Sequence, residues 1–284
     1  MAIRIAIQKS GRLFDDSVAL LKECGIELRN VKDRLKTESD NFPMEVFFLR
    51  DDDIPQYVED AVADIGIVGE NVVYEKNKSV EVVEQLGFGK CRLSLAVPRA
   101  AEIKGAKDLN GKKIATSYPN LVNGYLQQHH IKAEIHEISG SVEIAPGIGL
   151  ADVVCDLVSS GSTLFMNGLK EVETILQSQA VLIRNTGLGA EKLQLLDKLL
   201  FRIKAVRKAK RNKYVLLNAP NDKLKQIVGL LPGMKSPTVL PLAESGWSSV
   251  HSVLSEDEFW DKIEQLKAAG AQGILVVPIE KMVL

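Results

Sequence analysis

Residues 3–7, Ile-Arg-Ile-Ala-Ile, alternate about an apolar face and are rich in β-branched side chains, the period-two pattern of a strand. A polar turn at residues 8–12 follows. From Leu13 apolar residues recur at helical spacing until Gly25, a natural C-terminal cap. Residues 46–50 read as a second strand, which runs into Asp51-Asp52-Asp53 and then Pro55 at a helix start. Residues 64–69 read as a buried strand ending at Glu70-Asn71. Strands alternating with short helices predict an α/β sheet of parallel character.

A fresh series begins at residues 91–98, another strand. Strands are predicted at 112–117, 133–138, 152–156, 173–176 and 180–184, with helices at 119–130 and, despite Pro146, at 141–148. A short helix is expected at 164–168. The unit changes near Cys91 and returns near Arg184. That predicts two lobes joined by two crossing segments, with a cleft between them. The expected division is a first lobe of residues 1–91 and 184–211 and a second of 92–183, with a separate domain at 212–284.

Residues 191–211 form an amphipathic helix with Leu193, Leu196, Leu199, Leu200, Ile203 and Val206 on one face. The tail then reads strand 214–218, helix 222–231, and strands 239–242 and 247–254. Ser255 and Glu258 make a capping box, which opens a helix whose expected inner face is Phe259, Trp260, Ile263 and Leu266. Gly270 ends it, and residues 273–278 are a last strand. The order β-α-β-β-α-β is that of a ferredoxin-like domain.

Composition narrows the function. The formal net charge is −1, so no overall field draws in nucleic acid or an anionic membrane. The basic run at 204–213 reads as a solvated helix end. No apolar run approaches the roughly 20 residues of a membrane span, and the first residues lack a secretory pattern, so cytoplasmic residence is expected. Cys24, Cys91 and Cys155 show no metal-ligand spacing and read as small core residues. The four histidines fit no ligand motif and are assigned neither to catalysis nor to metal.

The most informative stretch runs from Glu143 to Leu164. A buried strand delivers Asp156 at its carboxyl end, and Ser159-Ser160-Gly161-Ser162-Thr163 follows before a helix begins. Small residues let backbone N–H groups approach a phosphate, and a helix start adds partial positive charge. A carboxylate beside such a cradle suits a ligand carrying both hydroxyls and phosphate. The same string also makes a plain capping turn. It is neither a Walker loop nor a dinucleotide fingerprint.

The spacing of Glu143, Gly149, Ala151, Val154, Asp156, Leu157, Ser160, Gly161, Thr163 and Leu164 resembles the signature of the ATP phosphoribosyltransferases. Residues 5–13, 50–55, 64–71, 91–94 and 114–119 look similar to that family too, and the tail resembles the regulatory domain of its long form. The resemblance implies a two-lobed body like the periplasmic binding proteins. It further implies transfer of a phosphoribosyl group from phosphoribosyl diphosphate to ATP, Mg2+ with the diphosphate, inhibition by histidine, and a dimer that assembles to a hexamer. On this basis Glu143, Asp156, Ser159, Ser160, Gly161, Ser162, Thr163 and Leu164 are expected to hold the phosphosugar. Lys9, Arg12, Arg50 and Arg92 are the expected catalytic cations, set against the ATP phosphates and the departing diphosphate. Gly11, Asp51, Glu70, Asn71, Ser94, Thr116 and Tyr118 are candidates for ATP. For Tyr118, stacking on adenine and a structural role are both open. Asn218, Ser236, Thr238, Ala271 and Gly273 are candidates for histidine, although ordinary turn chemistry explains each as well. Rival readings are a two-lobed solute receptor, a phosphoribosyltransferase acting on a base, and an amino-acid-binding regulator.

Overall fold

The computed structural model describes residues 2–29, 34–231 and 233–283. Two compact units divide between Asp197 and Lys198. The first holds β1 (Ile3–Gln8), α1 (Arg12–Glu23), β2 (Lys36–Glu38), β3 (Met44–Leu49), α2 (Ile54–Glu59), β4 (Ile65–Gly69), α3 (Glu70–Lys76) and β5 (Val80–Gln85). It continues with β6 (Cys91–Pro98), β7 (Lys113–Thr116), α4 (Pro119–Gln128), β8 (Glu134–Glu137), β9 (Val153–Val158), α5 (Ser162–Met166), β10 (Leu169–Ser178) and β11 (Ala180–Asn185). Helix α6 (Ala190–Arg211) runs across the division.

Two sheets make the two lobes of this unit. One has the order β2-β3-β1-β4-β11-β5 and the other β10-β6-β9-β7-β8. Strand β1 lies parallel between β3 and β4, and β7 lies parallel between β8 and β9. The strand that enters each sheet from the other lobe docks antiparallel: β6 on β9, and β11 on β4. The chain returns to the first sheet at Gln179, upstream of Arg184, because residues 180–185 already pair with β4 and β5.

Parity along the strands explains the apolar runs. Leu93, Leu95 and Val97 of β6 join Ile114, Val122, Val153 and Cys155 on one face of the second sheet. Ala96, Ala115, Val142, Val154, Val158 and Leu164 fill the other. A strand buried on both faces shows continuous rather than alternating apolarity. In the first lobe Ala6, Ile54, Val58, Val68, Val72, Val181 and Ile183 form one such core.

The second unit contains β12 (Asn212–Pro220), α7 (Leu224–Leu230), β13 (Thr238–Pro241), β14 (Trp247–Ser255), α8 (Glu256–Ala268) and β15 (Gln272–Pro278). Its antiparallel sheet has the order β13-β14-β12-β15, the ferredoxin-like arrangement. Val215, Leu217, Ile227, Val250, Leu254, Phe259 and Leu266 make its core. The Ser255 hydroxyl accepts from the Glu258 N–H and the Glu258 carboxylate accepts from the Ser255 N–H, completing the capping box.

Several expectations change. Residues 141–148 are not a helix: one 3-10 turn, Val142–Ile144, is followed by turns, because Pro146 offers no N–H and Gly147 and Gly149 follow. Trp260 is not on the inner face of α8; it is 64% exposed, whereas Phe259 is 6% exposed. The short helix after the loop begins at Ser162, not Leu164. Strands β2 and β5 carry no clean apolar alternation, being short or glutamate-rich, and escape a pattern reading.

The contrast at α8 gives a direct test. Phe259→Ala should lower unfolding free energy by about 3–5 kcal/mol, whereas Trp260→Ala should cost under about 1 kcal/mol. Denaturant titration of the two variants measures both.

Candidate active site

The carboxyl ends of β1, β3 and β4 and those of β7 and β9 are followed by the loops that carry the sequence candidates. This is where open α/β sheets bind ligands. Between the lobes lie two adjoining concavities of about 410 and 380 Å3. Arg12, Asp16, Asp51, Lys90 and Ser159 line the first, and Glu70, Lys90, Arg92, Ser159 and Gln177 line the second. Two wider hollows, of about 680 and 670 Å3, contain none of the loop from Ser159 to Leu164; the second is lined from both lobes, by Tyr74 and Lys76 and by Asn120 and Leu121.

Strand parity sets the face of β9 on which Asp156 lies, just before the residues that line the cleft. It sits across from Ser94 of β6, two residues from the carboxyl end of β9, on the face that also carries Val142 and Val158. The Leu157 N–H donates to its Oδ1 at 2.7 Å. Burial raises the Asp156 carboxyl above its ordinary value, the Leu157 N–H opposes this, and the like charge of Glu143 raises it further. The two carboxylates named in the sequence are therefore electrostatic neighbours.

The loop beyond Asp156 has the form a phosphate needs. Gly161 takes a left-handed conformation, φ 80°, which spares a side chain at the tightest point. It stands at the N-cap of α5, whose first N–H, that of Ser162, donates to the Ser160 hydroxyl at a long 3.4 Å, and first-turn N–H groups have no acceptor within a helix. The hydroxyls of Ser160 and Ser162 lie 2.9 Å apart. Ser159, Ser160, Ser162 and Thr163 are exposed, while Leu164 is buried and offers only its backbone.

On the opposite side, Lys9 and Arg50 are exposed just after β1 and β3, and Arg12 is exposed at the first position of α1. Gly11 begins α1 with φ 86° and no side-chain cap. Arg92 is differently placed: its Nε and Nη2 each donate at 2.6 Å to the Glu171 carboxylate. Its Nη1 donates to the Ser159 carbonyl at 3.3 Å, tying β6 to the loop. The Ser94 hydroxyl also donates to Glu171. Arg92 holds Glu171 well below the ordinary carboxylate range, at about 2, with Ser94 helping against burial.

Three nucleotide candidates are buried, and of these Asn71 lines the first concavity. Ser94 and Thr116 are buried, with the Thr116 hydroxyl donating to the Cys155 carbonyl at 2.7 Å and accepting from the Tyr118 N–H. Asn71 is 3% exposed; its Oδ1 accepts from the Ser178 hydroxyl and its Nδ2 donates to the Tyr118 hydroxyl at 3.3 Å. Tyr118 is half-buried, and burial, followed by the charges of Asp156, Asp51 and Asp52, raises its phenol. Asp51 is raised by burial and by Asp52. Glu70 accepts from the Tyr74 hydroxyl.

Lys90 escaped the sequence reading, yet it lines both concavities. Its signal was a lysine between the glycines at 87 and 89 and a buried strand. Cys91, also in the cleft wall, has its thiol raised by burial. Among the described residues no group of three or more His, Cys, Asp and Glu is placed to hold a metal ion. In the second unit the histidine candidates fall in two groups. Asn218 lies opposite Gln272 beside Gly273 and Ala271, while Ser236 and Thr238 lie beyond β14.

The lobed architecture is that of the periplasmic-binding-protein-like folds: a histidine kinase sensor domain of that similarity aligns with a TM-score of 0.51 over 73% of this chain and 90% of its own, at 12% identity. The chain of an ATP phosphoribosyl transferase (HisG:HisZ) complex from Thermotoga maritima aligns at a TM-score of 0.61 and 28% identity, over 71% of this chain and 98% of its own. The family model for HisG, ATP phosphoribosyltransferase, matches residues 50–205, and that for the HisG C-terminal domain matches residues 209–281. ATP phosphoribosyltransferase of Cytophaga hutchinsonii is 60% identical over 99% of this chain and 98% of its own, and that of Bacteroides fragilis is 57% identical over 99% and 100%. The chain belongs to the ATP phosphoribosyltransferase family, in its long form.

The Arg92–Glu171 pair makes a pH prediction. A depressed carboxylate contributes stability that is complete above its unfolded value, about 4.3, and is lost as pH falls toward 2. Glu171→Gln should remove that part of the acid sensitivity. Denaturation midpoints at pH 5 and pH 3 for both proteins check it: the gap between the proteins should narrow at the lower pH.

Proposed function

We propose that the cleft joins ATP to 5-phosphoribosyl 1-diphosphate, giving N1-(5-phosphoribosyl)-ATP and diphosphate. The observation that carries this is the pairing of Asp156 and Glu143 with a glycine-turned loop of exposed hydroxyls, whose Ser159 lines one concavity with Arg12 and Lys90. The loop N–H and hydroxyl groups of Ser160 to Leu164 hold the 5-phosphate, and Asp156 and Glu143 accept from the ribose hydroxyls. Nitrogen N1 of adenine attacks the anomeric carbon as the bond to diphosphate breaks, so positive charge grows on the sugar and negative charge on the leaving group. Lys9, Arg12, Arg50 and Lys90 meet the anionic side of that separation, and prior alignment of two anionic ligands supplies much of the rate. Arg92, already paired with Glu171, orders the loop rather than offering a whole charge.

Magnesium suits this site, since Mg2+ usually takes one or two carboxylates together with substrate phosphates and keeps several waters. Asp156 and Glu143, whose like charges oppose each other, are the residues that would hold it. When bound it would neutralise diphosphate oxygens. The second unit is read as the histidine site that inhibits the enzyme, in a cytoplasmic homo-oligomer built from dimers to a hexamer. Feedback requires histidine to bind two states of the body unequally.

Asp156→Ala should lower kcat/KM by at least about 10²-fold with the fold intact, read by phosphoribosyl-ATP formation; near-normal turnover would remove Asp156 from the site. Gly273→Ala tests the regulatory reading. Gly273 has φ 58°, and an added Cβ would meet Asn218 Nδ2 at 3.2 Å. Histidine inhibition should weaken several-fold while activity without histidine persists; unchanged inhibition places the effector elsewhere.

A further inference from the structure

Helix α3 of the first lobe meets the start of α4 of the second through a buried carboxylate. Glu75 is 5% exposed, and both its oxygens are engaged. Its Oε1 accepts from the Asn120 N–H and its Oε2 from the Leu121 N–H, each at 3.0 Å. The Asn120 side chain returns the contact, donating Nδ2 to the Glu75 backbone carbonyl at 2.9 Å. One turn earlier on the same helix, Asn71 donates to the Tyr118 hydroxyl. Residues four apart share a helix face, so a single face of α3 grips residues 118–121 at two points. Pro119 stands at the first position of α4 and has no N–H to offer, which leaves the next two for the carboxylate. An anion at a helix N-terminus, bonded to two N–H groups and shielded from water, is a strong form of this contact.

The contact bridges bodies that hold together without it. The first sheet has its own core, and the second has a core on each face. Glu75 is therefore not needed to build either lobe; what it fixes is one lobe against the other. It does so next to Tyr118, whose hydroxyl feels the charges of Asp156 and Asp51.

We propose that Glu75 is a positioning residue, a latch between α3 and α4 that sets the separation of the cationic rim of one lobe from the phosphate loop of the other. This rests on the reading that both substrates meet in the cleft. Each substrate then binds a body already held at working distance. Without the latch, binding must do that ordering, and affinity for both falls together.

The test uses the full chain with Glu75→Ala, Glu75→Gln and Glu75→Asp. Glutamine is informative because its Nε2 presents hydrogens to one of the two N–H groups. Hydrogen exchange without substrates should show the amides of Asn120 and Leu121 opening at least about tenfold faster in the alanine and glutamine variants. KM for ATP and for phosphoribosyl diphosphate should both rise about tenfold, with kcat changed less than about threefold, and Glu75→Asp should recover part of the loss. Should the alanine variant fail to fold, Asn120→Ala removes the third bond without burying an unpaired charge and should raise both KM values about threefold. Faster exchange with unchanged KM values would reduce Glu75 to a helix cap and overturn the proposal. Unchanged exchange would overturn it as well. Exchange is read without turnover, so a failure of the latch is separable from a failure of the cleft assignment, which Asp156→Ala tests on its own.

Discussion

Strand direction is the constraint on which the catalytic body depends. Strands β1, β3 and β4 in one lobe and β7 and β9 in the other end toward a common gap, and the strands entering from the opposite lobe, β6 and β11, run away from it. Loops after strand carboxyl ends carry helix starts, so exposed N–H donors gather in the gap without special devices. Chemistry-bearing residues need only occupy the first positions past each strand. Lys9 after β1, Arg50 after β3, Glu70 after β4 and Ser159 after β9 all do so.

This regularity is also why much of the body was legible beforehand. Residues 153–158 announce themselves as a strand because both faces are buried, and the small residues that follow can hardly do anything but turn. The capping box at Ser255 and Glu258 is local chemistry and was readable to the residue. What escaped was decided at a distance. Trp260 has the same apolar character as Phe259, and only the direction of α8 over the sheet separates them. Strand β5 shows mixed polarity because it is an edge, and edge position is a property of the sheet rather than of the strand.

The loops that carry the candidate residues were legible in the sequence; how deep each side chain lies was not. Type and spacing marked Ser94, Thr116 and Asn71 as nucleotide candidates; Asn71 lines a concavity, and each spends its side chain holding a neighbour. Arg92 shows the same limit: a guanidinium at a strand start suggests a ligand, and its carboxylate partner lies on β10, 79 residues away in the chain. Sequence spacing says where a loop is; it does not say which of its side chains are already taken. Lys90 is the converse, unremarkable in the sequence and exposed to both concavities.

Tyr118 carries a consequence in lone pairs and hydrogens. Its oxygen accepts from Asn71, and a phenol has one hydrogen of its own to give. Burial among acids keeps that hydrogen in place through ordinary acidity. Tyr118 thus offers a neutral donor that feels the charges of Asp156, Asp51 and Asp52, surroundings that repel an anion and welcome an uncharged acceptor such as a ring nitrogen or a sugar oxygen. On the proposed reading, polarity at this spot sorts a bound molecule end from end, heterocycle and sugar inward, phosphates toward the lysine and arginine rim.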